Sequence, residues 1–283
     1  MDLSKLSTEQ INPRTATLDQ MPLRELLASI NREDQSVPLA VAKAIPQIEQ
    51  VVEAVRLRLK NRGRLFYIGA GTSGRLGCVD ASEMPPTYGV PSTLVQGIIA
   101  GGPKALLKSQ EGAEDDGPAG VRDLKRRKVS SRDAVIGLSA SGRARYVQAA
   151  LEHARRIGAF TTCITCNTNS PLISFAEVAI VVDTGPEVVC GSTRMKAGTA
   201  QKLVLNMIST ATMVGLGRVK GNRMVDLQIK CQKLQERAER LVMMETGCSA
   251  AKAARALKVA KGSVRAAIAW VPRSSRDGGS SAK

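Results

Sequence analysis

Short apolar runs alternate with amphipathic stretches through the first two thirds of the sequence, and this alternation restricts the possible folds more than any other feature. The runs are rich in aliphatic residues and end at glycine, proline or polar positions, which is typical of buried strands. Strands separated by helices favour a parallel sheet with helices packed on both faces. The sequence therefore predicts a three-layer α/β domain, with strands at Arg64–Ile68, Thr93–Ile98, Ala134–Leu138, Phe160–Thr165 and Val178–Val182.

Helical periodicity fills the segments between these strands and continues alone after residue 194. The predicted domains are residues 1–220, which begin with a polar leader at 1–36, a small all-helical domain at 221–271 and a disordered tail at 272–283. The predicted helices open at Val37-Pro38, run from Pro46 to Lys60, and cover Gly74–Ser82, Lys104–Asp115, Arg143–Ile157, Arg194–Leu216, Met224–Met244, Ser249–Leu257 and Gly262–Trp270.

The net charge of +16 is the most unusual feature of the composition, and half of it lies near the C-terminus. Residues 221–283 hold 13 basic and 5 acidic residues, which gives +8 for that segment alone. Such an excess either attracts anions, from sugar phosphates to nucleic acids, or forms a solvated basic surface. Aromatic residues make up only 2% of the chain, too few for a base-stacking surface, so we expect a solvated surface and no nucleic-acid partner.

The cysteines and the N-terminus indicate a reducing, cytoplasmic location. The six cysteines are scattered, and Cys163 and Cys166 form a single CxxC in a predicted strand, which is a weak metal signal without a second pair. The N-terminal residues carry no apolar signal core, and no segment is apolar enough to span a bilayer. We therefore expect a cytoplasmic protein with buried free thiols and no membrane contact.

Two predicted strands run directly into loops of glycine and hydroxyl residues. Gly69–Gly74 matches GxGxxG, but the end of the next strand has no acidic residue to hold a ribose, so a dinucleotide site is excluded. Backbone amides at a helix N-terminus, together with Thr72 and Ser73, instead make a phosphate cradle, although a plain tight turn explains one such loop equally well. A second loop, SASGR, supplies Ser139 and Ser141. Two such loops at neighbouring strand ends predict a site for a phosphorylated sugar.

Acid–base chemistry must fall to carboxylates or lysine, because His153 is the only histidine and lies in the middle of a predicted helix. Glu83 is predicted to close the helix that begins at the first loop, where the helix dipole disfavours ionisation by about 0.3–1 kcal/mol, as suits a general acid. Glu114 shares a predicted helical face with Glu111 and Asp115, so repulsion favours protonation of one of these carboxylates. A solvated acidic surface is the alternative interpretation of both sites, and for Glu114 the residues alone favour it.

A dense polar stretch at residues 185–199 precedes the first long helix of the C-terminal part. Ser192 can cap that helix. Arg194 and Lys196 lie in its predicted first turn, where a cation is unfavourable, so we expect an anion or a carboxylate close by. Glu187, Ser192 and Lys196 are therefore further candidates for binding a substrate or its phosphate.

At these positions the sequence resembles the N-acetylmuramic acid 6-phosphate etherases, which are related to the glucokinase regulatory protein. The matching segments run in order through nearly the whole chain and include TEQINPRTATLDQM, EGAEDD and SASGR, while DASEMPPTYG and GSTRMKAGTAQK are the most specific. The resemblance implies a sugar isomerase (SIS) α/β sandwich with a small helical C-terminal domain, assembled as a homodimer. It implies neither a metal ion nor an organic cofactor.

The resemblance also implies a carbon–oxygen lyase reaction of amino-sugar recycling, which cleaves the D-lactyl ether of N-acetylmuramic acid 6-phosphate to N-acetylglucosamine 6-phosphate and D-lactate. Glu83 falls in the matching DASE motif and Glu114 in the matching EGAED motif. In the open-chain aldehyde the C2 proton is acidic because it lies next to the carbonyl, and Glu114 is the expected base. Glu83 is expected to protonate the departing lactate and then to activate the water that adds at C3.

Two positions depart from the family pattern and leave the fine substrate specificity open. Ala144-Arg145 follows SASGR where the family usually has Thr-Pro, and Cys231, after Lys230, stands where it usually has Asn. Two other functions are compatible with the phosphate loops, namely a sugar-phosphate isomerase of the SIS type and a non-catalytic sugar-phosphate-sensing regulator. The presence of both Glu83 and Glu114 favours the etherase, since a sensor could dispense with either.

Overall fold

The structure, a computed structural model, describes residues 6–229 and 232–271. They form two compact units. The first comprises the described residues up to Ser82 together with Ser92–Thr212, and the second comprises Glu83–Pro91 together with the described residues from Met213 onward. The predicted tail at 272–283 and the departure at Cys231 lie outside the described residues, and the domain boundary at residue 220 stays a prediction.

The first unit is built on one five-stranded sheet. Its strands are β1 Leu65–Gly69, β2 Val95–Ile99, β3 Ala134–Leu138, β4 Phe160–Thr165 and β5 Val178–Val181. The order across the sheet is β2-β1-β3-β4-β5, and every pair of neighbours is parallel. All residues of β1, β3 and β4 are buried, as expected for strands that are covered on both faces. The five predicted strands are thus confirmed, to within two residues at either end.

Helices cover both faces of this sheet. They are α1 Leu23–Ala42, α2 Ile45–Lys60, α3 Gly71–Tyr88, α4 Gly117–Arg126, α5 Arg145–Arg156 and α6 Lys196–Gly215, of which α3 and α6 continue into the second unit. On one face, Val147 and Leu151 of α5 pack directly on Gly137 of β3. On the opposite face, Gly77 of α3 packs on Tyr67 of β1. The arrangement confirms the predicted three-layer α/β architecture.

Helix α1 begins well before the predicted opening at Val37-Pro38, which is therefore wrong. Pro38 lies inside α1, although an internal proline costs roughly 3 kcal/mol because it removes a backbone hydrogen bond. The helix persists because Ser29, Glu33, Val37 and Val41 form a buried stripe with a spacing of four residues. Burial is worth about 1.5–3 kcal/mol for each large apolar side chain, so the packing of Val37 and Val41 offsets the local penalty.

Helix α3 also contains prolines, Pro85 and Pro86, and continues to Tyr88, so the prediction that Glu83 closes it is wrong. The helix ends before Gly89, which adopts φ +65 and donates its amide to the carbonyl of Pro85 at 3.0 Å. Met84 and Tyr88, both buried and one turn apart, hold this last segment in place. Glu83 therefore lies more than one turn before the C-terminus of the helix, and the argument from the helix dipole does not apply to it.

The predicted helix at Lys104–Asp115 does not form. Pro103–Leu106 makes a short 3-10 turn, and Gly112 adopts φ +71, a left-handed conformation that is incompatible with a helix. The helix of this region is α4, which Asp116 caps by accepting a hydrogen bond from the Ala119 amide at 2.9 Å. The acidic residues before α4 lie in turns, so they do not share a helical face.

The second unit is helical. Its own helices are α7 Gln232–Thr246, α8 Ala250–Val259 and α9 Val264–Trp270, and they enclose a small core of alanine, leucine and valine side chains. Ser249 and Ser263 cap α8 and α9 with their hydroxyls. Helices α8 and α9 lie where they were predicted, whereas α7 begins after the predicted start at Met224. The small helical C-terminal region is thereby confirmed.

Candidate active site

The carboxyl ends of β1 and β3 form the crevice in which a ligand is expected. The two strands are adjacent, and the chain leaves them toward opposite edges of the sheet, to β2 on one side and to β4 on the other. In open parallel sheets, ligands bind at such a switch point because the connections diverge there. The loops at Gly69–Gly74 and Ser139–Arg143, which follow these strands, are therefore neighbours, as the sequence predicted.

The first loop sets helix α3 directly against the end of β1. A Cβ atom on Gly74 would lie 2.7 Å from the carbonyl oxygen of Gly69, and Gly71 adopts φ +54 at the start of the helix. Ser73 is buried and Thr72 half-buried in the first turn, and neither hydroxyl has a hydrogen-bond partner among the described residues. Because first-turn amides have no acceptor within their own helix, they remain available to an anion beside these hydroxyls.

The second loop is held by hydrogen bonds within itself. Gly142, at φ +74, donates its amide to the Ser139 hydroxyl at 3.0 Å, and Arg143 donates its amide to the Ser141 hydroxyl at 3.3 Å. Ser139 is buried, and its hydroxyl stabilises the turn by accepting the hydrogen bond from Gly142. Ser141 is half-buried and faces open space.

Ser141 opens into a cleft of about 840 Å³, which also contains Glu114. That volume falls in the range of small-molecule sites. Glu114 also borders a smaller cavity of about 140 Å³ beside the first loop, and its carbonyl accepts a hydrogen bond from the Tyr146 amide of α5 at 2.9 Å. The structure thus brings Glu114 and the serine of the second loop to one cleft. The other residues that line this cleft are Glu9, Asp115, Arg143, Ala144, Arg145, Gln148 and Pro171.

Glu9 is a cleft residue that the sequence analysis missed. It comes from the N-terminal leader, which is bound to the rest of the first unit through the preceding residue, Thr8. The Gly191 amide donates to the Thr8 carbonyl at 3.1 Å, and the Asn167 side chain donates to the Thr8 hydroxyl at 3.1 Å. Asn167 and Thr8 are 159 positions apart, and no local pattern in the sequence signals such a contact.

Lys196 has a carboxylate partner within the protein. Its ammonium group is 2.8 Å from the carboxylate of Glu33, and the residue is only 1% exposed. Arg14 and Asn12 donate to the same carboxylate at 2.5 and 2.9 Å, and the hydrogen bond from Arg14, followed by that from Lys196, lowers the pKa of Glu33 to about 2. The carboxylate that the sequence led us to expect near Lys196 is therefore Glu33.

Glu187, rather than Ser192, caps helix α6. The two carboxylate oxygens of Glu187 accept hydrogen bonds from the amides of the first two residues of α6, each at 2.9 Å. Ser192 is half-buried on the loop before the helix. This end of α6 lies against the first loop, since a Cβ on Gly198 would lie 3.5 Å from Cγ2 of Thr72. Direct contact of Glu187, Ser192 or Lys196 with a substrate stays a prediction.

The DASE motif combines a buried acid with an exposed one. Asp80 is buried and accepts hydrogen bonds from the Tyr67 hydroxyl (2.9 Å), the Asn206 side chain (2.7 Å) and the Ser209 hydroxyl (3.1 Å). Burial raises the pKa of Asp80 in spite of these donors. Asp80 thus ties α3 to β1 and α6, whereas Glu83, one turn later, is exposed in the part of α3 that belongs to the second unit. The catalytic role of Glu83 stays a prediction.

The remaining polar candidates of the sequence form no second site. Cys163 and Cys166 are buried free thiols, as predicted, and burial raises the pKa of Cys163 to about 12. His153 is half-buried on α5. Within residues 6–229 and 232–271, no group of three or more histidine, cysteine, aspartate and glutamate side chains is arranged to hold a metal ion. No helix in the described part of the chain has the length and apolar character that crossing a membrane requires.

Similarity to known sequences decides the family. Residues 47–155 match the family model of the glucokinase regulatory protein N-terminal SIS domain, and residues 119–211 match that of the SIS domain. The N-acetylmuramic acid 6-phosphate etherase of Geobacillus thermodenitrificans is 51% identical over 271 residues, which cover 96% of this chain and 92% of that protein. The chain belongs to the N-acetylmuramic acid 6-phosphate etherase family. The etherase of Symbiobacterium thermophilum is 52% identical over 268 residues, which cover 95% of this chain and 89% of that protein.

Family membership agrees with the observed fold and distinguishes between the functions that the sequence left open. The solved structure of the E. coli CFT073 c3406 protein matches with a TM-score of 0.51 and 17% identity, over 71% of this chain and 97% of that one. At this identity the likeness concerns the fold, which is the predicted SIS fold. The etherase names of the close relatives favour an etherase over an SIS isomerase or a non-catalytic regulator.

Proposed function

We propose that the chain cleaves the D-lactyl ether of N-acetylmuramic acid 6-phosphate and releases D-lactate and N-acetylglucosamine 6-phosphate, in the catabolism of cell-wall amino sugars. The observation that carries the proposal is identity of about 50% to etherases over at least 95% of the chain. A cleft of suitable size at a switch point of the sheet, with a carboxylate in it, supports the same conclusion.

The 6-phosphate is assigned to the two loops that follow β1 and β3. The first-turn amides of α3 and the hydroxyls of Thr72 and Ser73 offer donors on one side, and Ser139 and Ser141 offer donors on the other. Ser139 and Ser141 already accept hydrogen bonds from backbone amides, but each hydroxyl keeps its own proton to donate to phosphate oxygen. The sugar would then extend from the phosphate into the larger cleft.

Glu114 is the proposed base for the C2 proton, because its side chain is exposed to a ligand within the cleft. Removal of that proton from the open-chain aldehyde forms the enolate, and departure of lactate from C3 leaves the unsaturated aldehyde. Glu83 is the proposed acid that protonates the departing oxygen and then the base that activates the water added at C3, while the protonated Glu114 returns a proton to C2. Its assignment rests on the matching motif alone, since its helix does not end there.

Glu187 and Lys196 are assigned a positioning role. Glu187 fixes the start of α6, and Lys196 fixes that start to Glu33 of α1, so together they hold the wall that lies against Thr72. Ser192 lies on the loop that Glu187 and Lys196 hold in place. Of these three candidates, we propose that Ser192 alone binds the phosphate directly.

The test of the proposed function is release of D-lactate from N-acetylmuramic acid 6-phosphate by the purified protein. We expect release at the same rate with and without a chelator, and no release from the unphosphorylated sugar. Formation of N-acetylglucosamine 6-phosphate in equal amount would identify the second product. A folded protein that releases no lactate above background contradicts the proposal.

We also propose that the chain forms a homodimer in the cytoplasm. Ile11, Leu23 and Leu27 are 73%, 72% and 56% exposed on the first unit, which leaves apolar surface for a second copy, and the free thiols of the described cysteines suit a reducing compartment. Light scattering should give about twice the chain mass of 30.1 kDa, and cell fractionation should recover the protein with cytoplasmic markers. A single-chain mass contradicts the dimer.

A further inference from the structure

Two arginines of the larger cleft have no partner in the part of the protein that the structure describes. Arg143 and Arg145 both line the cleft and are exposed, and the side chain of neither forms a hydrogen bond or an ion pair with a described residue. A guanidinium group presents two parallel N–H donors that match the oxygens of a carboxylate or phosphate. Two such groups in a cleft with Ser141 therefore point to an anionic part of the ligand.

The start of α5 is locally unfavourable, and Arg145 is the reason. Ala144 stands at the N-cap without a side-chain hydrogen bond, and Arg145 is the first residue of the helix, where a cation meets the positive end of the dipole. A threonine cap followed by proline would suit both positions better. This chain thus has an unfavourable helix start, and that start places a guanidinium in the cleft.

We propose that Arg145, with Arg143 of the same cleft, binds the D-lactyl carboxylate and makes this chain selective for the lactyl sugar over its lactate-free product. The inference rests on the proposed function, whose substrate carries two anionic groups. The loops after β1 and β3 supply donors for the phosphate, so the carboxylate is the anion that still needs a partner. Arg145 lines the cleft into which the sugar would extend from those loops.

Binding of two ligands separates this role from phosphate binding. N-acetylmuramic acid 6-phosphate carries both anions, whereas N-acetylglucosamine 6-phosphate carries the phosphate alone. Calorimetry on the Glu114→Gln protein, which should not consume the substrate, would give both Kd values with and without Arg145→Ala. We expect Arg145→Ala to raise the Kd of the lactyl sugar about tenfold and that of the product less than twofold. Equal losses would place Arg145 at the phosphate, and unchanged values would make it a solvated side chain, so either result overturns the proposal.

A second variant excludes a folding artefact. Ala144→Thr/Arg145→Pro gives α5 a hydroxyl cap and a proline at its first position, and Ala144 already has ψ 106, close to the extended values that a following proline favours. We expect a melting temperature no lower than that of the parent protein and the same tenfold loss for the lactyl sugar. Full affinity in this variant overturns the proposal. Absence of lactate release by the unmodified protein would contradict the proposed function itself, and the binding comparison would still decide the role of Arg145.

Discussion

Two groups of charged side chains in the first unit differ in whether their charges are paired within the protein. In the framework cluster, which comprises Asn12, Arg14, Glu33, Glu187 and Lys196, the Glu33 carboxylate is buried and receives three side-chain donors. In the larger cleft, the side chains of Glu114 and Arg145 are exposed and have no ion pair among the described residues. One group is satisfied within the protein, and the other is available to a ligand.

This difference separates residues whose loss should cost stability from residues whose loss should cost activity. A buried charge persists only where it is paired, whereas an exposed charge is hydrated and costs little. Lys196 and Arg145 carry the same sequence signal, a basic residue in the first turn of a helix. For Lys196 the structure supplies the counter-charge, and for Arg145 we infer that the substrate supplies it.

Glu114→Gln should have the largest effect on chemistry and almost none on folding. Lactate release should fall about 10²–10⁴-fold, the usual contribution of a general base, and exchange of the C2 proton with deuterated solvent should be lost. The free energy of unfolding should change by less than about 0.5 kcal/mol, because the side chain is exposed. Glu111→Gln, in the same acidic segment, is the matched control and should stay active. Full activity of Glu114→Gln would make this carboxylate part of a solvated surface.

Glu83→Gln separates the two proton transfers. It should reduce lactate release by a similar factor of about 10²–10⁴, because the departing oxygen loses its acid. Exchange of the C2 proton, followed by mass spectrometry in deuterated solvent, should continue, because Glu114 is unchanged. The opposite pattern in the two variants would mean that the acid and the base are exchanged between them.

Lys196→Met should have the largest effect on stability. Lys196 is one of two cations on the buried Glu33 carboxylate, which keeps Arg14, so its removal loses one charged hydrogen bond and costs about 1.5–3 kcal/mol, measurable by urea unfolding. Replacing both partners, in Lys196→Met/Glu33→Leu, should recover part of this loss. Lys202→Met, at an exposed position of the same helix, should be nearly neutral. A stable Lys196→Met protein that has lost affinity for sugar phosphates would instead make Lys196 a direct ligand.

The strands and the two loops could be predicted because their signals are local. A strand buried on both faces must be apolar throughout, so β3 and β4 were predicted to the residue. The predicted helix boundaries were less accurate where tertiary packing stabilises a conformation that local sequence rules disfavour. By the local rule Pro38 and Pro85-Pro86 each break a helix, yet each lies in a segment whose neighbours are buried. The helix predicted at 104–115 is wrong for the opposite reason, since Gly112, in a left-handed conformation, interrupts a pattern that otherwise suits a helix.

The residues of the candidate site also differ in whether local sequence signals could predict them. The hydroxyls of both loops and Glu114 lie in motifs that can be seen in the sequence, and the structure brings the two loops together. Glu9 and Glu33 could not be predicted, because each acts through contacts with a segment more than 150 residues away. Lys196 carried a correct signal for a nearby carboxylate, but the sequence offers no means of distinguishing a protein carboxylate from a bound anion.

Acid should weaken the framework cluster through Glu33. Its pKa is lowered from 4.5 to about 2, chiefly by the hydrogen bond from Arg14, so its contribution to stability is present above pH 4.5 and is lost as the pH falls from 4.5 to about 2. The loss should be about 2–3 kcal/mol. Urea unfolding between about pH 6 and pH 2.5 should show a shallower decline for Glu33→Gln, which is already less stable at pH 6. Parallel curves for the two proteins would contradict the assignment.

Ser73→Ala should have the smallest effect, and it tests a residue that shares features of both groups. Ser73 is buried like the framework cluster, but its hydroxyl has no partner among the described residues, like the side chains of the cleft. Because its removal leaves no group unsatisfied, the melting temperature should not fall. If the hydroxyl donates to the phosphate, the Kd of N-acetylglucosamine 6-phosphate should rise about fivefold, since such a bond is worth roughly 1 kcal/mol. Ser131→Ala, exposed before the amino end of β3, is the control and should bind normally. An unchanged Kd together with a lower melting temperature would place Ser73 in the framework and remove it from the phosphate site.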